Sequence, residues 1–374
     1  MIFIPWLKGQ SQRIFTLSNP LLVDIREMGN FFLKSIRSRF HLAPVIALGC
    51  IFTNCAPSPR EFACAGRTMG TRWSLRTIGR AADPGNVQQQ LAVFEAIFST
   101  WDPQSEVSRF NRHPAGEPFP ASIPLRDALA LAQEVHARSQ GAFDPTVGPL
   151  VAAFGFGPSS LANPNAQPDF AAITLDLQGG TLRKSHPDVT LDLSALVEGY
   201  ALDKIAAALF SQGHDNFLLE IGGEFLARGS GPEGQGWKTG VQTPSAAPGR
   251  TIAAVTLHNE AIATSGTYVQ QSGDDAHRVT HIIDPRTRRP IAHETVSVTV
   301  ISGRAVWADA WATALLVLGP AKGREIADRE GIEALFLTRN TAHGEARAPS
   351  GAPRATAAPA PASSARGDKD TRSK

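Results

Sequence analysis

The chain has 374 residues, 42% hydrophobic and 19% charged, which excludes a disordered protein and suits one large or two modest globular domains. Lys and Arg number 36 against 34 Asp and Glu, a net charge of +2, so no basic field points to nucleic acid. Of the three cysteines, Cys50 and Cys55 precede the main body and Cys64 stands at its very start, so a disulfide framework and a cysteine metal site within it are excluded.

Taken in order, the chain opens on an export segment, residues 1–59. Lys34, Arg37 and Arg39 precede an apolar run over 42–52, the length of a signal core and too short to span a bilayer. Counted from Met1, the positive region is unusually long and contains Asp24 and Glu27; counted from Met28 its proportions are normal, so Met28 is taken as the true start. The run ends Ala47-Leu48-Gly49-Cys50, close to the sequence at which bacterial lipoproteins are cut before a lipidated cysteine. A bulkier residue is usual where Ala47 stands, so plain small-residue cleavage stays open. The expectation is a protein on the periplasmic side of the inner membrane, with Cys50 as the candidate lipid anchor.

A continuous folded body follows over 60–344, and residues 345–374, rich in Ala, Pro and Ser, are expected to be a disordered tail. Helical spacing marks 87–98 (Leu91, Phe94, Ile97, Phe98), 125–139 (Leu129, Leu131, Val135) and 199–210 (Leu202, Ile205, Ala206, Leu209). A fourth helix over 305–318 is stopped by Gly319-Pro320, and a fifth ends near Gly331. Strand-like runs occupy 217–221, 251–257, 281–283, 296–301 and 334–337, and 157–168 is read as a surface loop. Helices and strands interleave without steady alternation. The fold class is therefore α+β, mixed sheets packed with helices in a single large catalytic body.

Three features could carry chemistry. Asp309 and Thr313 lie four apart on an apolar helix, so both project from one face. A carboxylate there is costly to bury unless a cation or donor meets it, and a carboxylate with a hydroxyl suits Mg²⁺ better than zinc. The alternative has Asp309 in solvent and Thr313 bonded back to the Asp309 carbonyl. His281 begins a strand that closes in a turn at Pro285, where a histidine can act as a base near neutral pH or can be merely structural. Gly222-Gly223 and Thr264-Ser265-Gly266 could let backbone amides approach phosphate, although a bulge or tight turn explains each equally well.

The body also resembles a known family through blocks that occur in family order. They include Thr68-Met69-Gly70-Thr71, Ser99-Thr100-Trp101-Asp102-Pro103, Gly141-Ala142-Phe143-Asp144, Asp192-Leu193-Ser194-Ala195 with Glu198-Gly199-Tyr200-Ala201, Glu220-Ile221-Gly222-Gly223, His281-Ile282-Ile283-Asp284-Pro285, and Ala308-Asp309-Ala310 through Thr313. By these blocks it resembles the ApbE family, the bacterial FAD:protein FMN transferases. The resemblance implies Mg²⁺-dependent transfer of FMN from FAD to a threonine or serine hydroxyl of an acceptor flavoprotein, a subunit of a membrane redox complex, with release of AMP. It implies Mg²⁺ binding by Asp309, Thr313 and the carbonyl of Ala195, and His281 as the base. It implies flavin contacts from Met69, Trp101, Ala142, Phe143, Asp144, Asp192, Glu198 and Ile283. Many members carry Lys where Glu198 stands, which leaves the role of Glu198 open. Hydrolysis of FAD to FMN and AMP, or flavin binding without catalysis, are the alternatives.

Overall fold

The computed structural model describes residues 60–242, 251–267, 271–272, 279–339 and 356–357, so residues 1–59, where an export segment is expected, and most of 345–374 lie outside the described residues. All described residues fall within one unit, Pro57–Lys374.

A seven-stranded antiparallel sheet organises that unit, in the order Glu61–Thr68, Thr71–Ile78, Phe217–Ile221, Glu224–Arg228, Ala261–Gly266, Thr295–Ser302, Glu333–Thr338. Alternation along the strands decides which face each side chain joins. Phe217, Leu219 and Ile221 enter the main core with the helices, while Leu218 joins a second core under the Trp237–Gln242 and Thr251–Leu257 hairpin. Covered on both faces, the central strands read as nearly continuous apolar runs. That density made 217–221, 296–301 and 334–337 readable from sequence.

Six α-helices belong to the described unit: α1 (Pro84–Phe98), α2 (Glu106–Arg112), α3 (Ile123–Arg138), α4 (Gly148–Ala153), α5 (Ser194–Ser211) and α6 (Ala305–Glu330). The first three begin at capping side chains, Asp83, Ser105 and Ser122, each accepting from an amide of the first turn. The α6 helix breaks at Gly319, whose φ of 76° is non-helical, so 305–318 and 320–330 are two helical pieces as the sequence indicated. Pro320 has no N–H to offer the Leu316 carbonyl, and His293 Nε2 meets that oxygen instead at 2.8 Å.

Small ribbons flank the sheet. Phe119–Pro120, Ile173–Asp176 and Thr181–Lys184 form one, and Ile283–Asp284 with Arg289–Pro290 forms another. The strand expected over 281–283 is thus a two-residue strand displaced towards Asp284. Within the tail, residues 356–357 pair with 253–254, an open edge that accepts a passing strand. Among the described residues, no helix is long and apolar enough to cross a membrane. The expected α+β architecture holds, with all described strand pairs antiparallel.

Candidate active site and metal centre

The α6 helix buries Asp309 at 3% exposure among Ala308, Ala310, Trp311 and Ala312, so the carboxylate does not face solvent. Its Oδ2 accepts from the Gly199 amide of α5 at 3.0 Å. In an α-helix that amide would point at the carbonyl four residues back, that of Ala195. Sharing it with Asp309 leaves oxygen capacity on Ala195. The two helices approach closely because Gly199 has no side chain: a Cβ there would stand 2.5 Å from the Ala305 carbonyl oxygen. One turn beyond Asp309, Thr313 Oγ1 lies 2.8 Å from Ser265 Oγ, so its hydroxyl pairs across to a strand of the sheet rather than back to its own helix.

Glu198 and Glu224 join Asp309, with oxygens of all three carboxylates within 4.8 Å of one another. Among the described residues none of the three forms a salt bridge with a basic side chain. Burial pushes the Glu198 carboxyl up to about 8, aided by the Asp309 charge. Burial also raises Asp309 to about 6, against the lowering effect of the Gly199 amide and a hydrogen bond from Glu224. Glu224 is raised well above the usual carboxylate range, by burial first and then by its two acidic neighbours. Three mutually repelling carboxyls in low dielectric must hold protons or a cation. The Glu224 Oε2 atom is buried without a hydrogen-bond partner, and every available ligand is a hard oxygen. The residues therefore fit Mg²⁺ or a similar divalent ion.

The structure thus brings Asp309, Thr313, Ala195 and Glu198 to one helix pair. It sets Glu198 in the acidic cluster, where the family resemblance implied a flavin contact and left its role open. Glu224 escaped the sequence reading because it looks like the polar start of a strand, although it follows Gly222-Gly223 directly. Of that pair, Gly222 lies against the Glu198 carboxylate.

The remaining candidates sit mostly on connections between the regular elements. Met69, at φ 47°, and Gly70, at φ 73°, form the tight turn between the first two strands. Trp101 is 70% exposed on a loop held by Ser99 Oγ, which accepts from the amides of Trp101 and Asp102. Ala142 and Phe143 are buried core residues, so the Phe143 ring is not an open stacking face. The Asp144 carboxylate accepts from the Thr146 amide and hydroxyl, and burial raises its pKa. Asp192 ties this turn to the start of α5: its amide donates to the Pro145 carbonyl and its Oδ1 accepts from the Ser194 amide. Ile283 packs with Leu150 and Ala166, and the His281 ring stands edge-on to Phe156 at 6.0 Å between centroids. Beside it, Asp284 Oδ1 and Oδ2 bind Arg286, which holds the carboxyl below the usual range despite burial.

With this geometry in place, comparison with known proteins is informative. Residues 69–336 match the model of the ApbE family. A FAD:protein FMN transferase of Klebsiella pneumoniae is 35% identical over 316 residues, 79% of this chain and 90% of its own. That of Salmonella typhimurium is 37% identical over 305 residues, covering 77% and 87%. Among solved structures, the flavin transferase ApbE from Vibrio cholerae superposes with a TM-score of 0.67 at 33% identity, over 75% of this chain and 94% of that one.

Proposed function

The chain belongs to the ApbE family and is a flavin transferase, and on that premise we propose that it moves FMN from FAD to a threonine hydroxyl of an exported flavoprotein, releasing AMP. The observation that carries this reading is the buried group of Asp309, Glu198 and Glu224 beside Thr313, an oxygen-only seat for a cation. Asp309, Thr313 and the Ala195 carbonyl would hold Mg²⁺, which when bound offsets the charge of the pyrophosphate. Trp101 supplies an exposed aromatic face for a ring system, and Met69 shapes the turn between the first two strands. His281 takes the proton from the acceptor hydroxyl, whose oxygen forms a bond to the FMN phosphorus as the bond to the AMP oxygen breaks. Export through the N-terminal segment, with Cys50 as a lipid anchor, would place this chemistry at the periplasmic face of the inner membrane.

The test combines purified protein, FAD, Mg²⁺ and a candidate acceptor domain, read by intact mass. A gain of FMN on one threonine is expected. AMP release with no gain on the acceptor would turn the reading to FAD hydrolysis, and neither product would reduce it to flavin binding.

A further inference from the structure

The α6 helix has an unusual start. Its N-cap residue, Arg304, makes no side-chain capping bond. The first two amides are instead taken by a residue of another helix: Asp203 Oδ1 accepts from Ala305 at 2.8 Å and Oδ2 from Val306 at 3.2 Å. This carboxylate also faces the positive end of the helix dipole. The position of Asp203 is telling. Ala195, Gly199 and Asp203 are spaced by four on α5, and Ala305, Asp309 and Thr313 by four on α6, so each triplet forms one stripe. Asp203 grips the Ala305 and Val306 amides, and the Gly199 amide donates to Asp309 one turn further on, so the stripes run antiparallel. One more turn along brings Ala195 towards the level of Asp309 and Thr313.

We propose that Asp203 is a positioning residue for the cation site, setting the axial register in which Asp309 and Thr313 face Ala195. The proposal rests on the reading of those three residues as the Mg²⁺ seat. Mg²⁺ demands near-octahedral geometry at about 2.0–2.1 Å, so a slip of even part of a turn between the helices spoils the ligand set. Gly199 alone cannot prevent such a slip. It permits close contact and gives one bond, whereas Asp203 fixes the helix end through two. Burial raises the Asp203 carboxyl above its ordinary value, against the Ala305 and Val306 amides and the nearby Arg304 and Lys204, which favour its charged form.

Mn²⁺ binding to the purified protein, followed by electron paramagnetic resonance without FAD, tests this directly. Asp203→Ala is expected to weaken Mn²⁺ by about 10- to 100-fold, the range seen when partners behind metal ligands are removed. Asp203→Asn, which keeps one oxygen acceptor, is expected to fall between Ala and the parent. The Mg²⁺ concentration for half-maximal transfer should shift in parallel, with most of the rate recovered at saturating Mg²⁺. The shift should persist in about 1 M salt, where the Debye length is ~3 Å and a purely electrostatic influence would fade. A merely structural role would lower the unfolding midpoint and leave Mn²⁺ affinity alone. That result, alongside loss of binding in Asp309→Asn, overturns the proposal. Should Asp203→Ala not fold, Asp203→Asn decides, and parent-like affinity counts against it. Unchanged Mn²⁺ binding in Asp309→Asn would instead bring down the cation seat itself.

Discussion

Between α5 and α6 and at the start of the middle strand of the sheet, Glu224–Arg228, the acidic groups sit on regular elements and are largely buried, whereas Met69, Trp101 and His281 sit on a tight turn, an exposed loop and the approach to a two-residue strand. The helix-borne half is held by backbone contact, a hydrogen bond from the Gly199 amide to Asp309 and a sheet hydroxyl paired with Thr313. The loop-borne half is positioned by local turns, such as the Ser99 bonds under Trp101. Groups that must hold a small ion at fixed distance gain from rigid elements, while loops suit a large ligand that has to enter and leave.

Substitutions break this contrast at different points. The largest effect is expected at the rigid half: Asp309→Ala should reduce transfer below detection while the fold survives, since it removes a charge buried in an apolar helix. Mass analysis of the acceptor and the unfolding midpoint check both parts. Wild-type transfer at limiting Mg²⁺ would show that the helix pair is not the metal seat.

Next comes His281→Asn, expected to slow single-turnover transfer by roughly 10²–10⁴-fold with FAD affinity retained. Loss of FAD binding would recast His281 as part of the ligand pocket. A smaller change is expected at the loop-borne half of the contrast. Trp101→Ala should weaken FAD by about 2- to 10-fold, the worth of one aromatic stacking contact, with little effect on the rate once FAD saturates. Titration by fluorescence measures it, and an unchanged affinity would remove the loop from the flavin site.

The subtlest test reads the acidic cluster through pH. Glu198 has a folded pKa near 8, above its ordinary value, so the folded state holds a proton that the unfolded chain has released. Stability from this group is complete below the ordinary carboxylate pKa and is lost as pH rises towards 8. In metal-free protein, thermal stability should therefore fall more steeply between about pH 5 and 8 in the parent than in Glu198→Gln. Mg²⁺ should flatten the parent curve, because a bound cation favours the deprotonated cluster. Parallel curves without metal would show that Glu198 does not hold its proton there.

Much of the helix-borne half was legible beforehand. The apolar helix with Asp309 and Thr313 four apart announces a face on which a carboxylate needs company, and Gly319-Pro320 marks where it stops. The start of α5 was read five residues late, because Leu193 at its N-cap offers no side-chain capping signal. The Glu61–Thr68 strand went unread, since its alternating residues are exposed or half-buried at the sheet edge. The partners themselves were out of reach: Ser265 lies 48 residues from Thr313, and the Gly199 amide 110 from Asp309. Pairings of that span arise from topology. Local propensity and periodicity are silent about them.

Glycine at position 199 has a consequence for how other sequences of this architecture can be sorted. A chain that keeps the aspartate and the threonine of α6 but carries alanine or larger at this position must part its two helices, because the first carbon of any side chain would meet the Ala305 carbonyl at 2.5 Å. Such a chain would pass inspection of its ligands and still lack the spacing they need. Position 199 therefore bears on whether the two helices reach their spacing, apart from which ligands they carry.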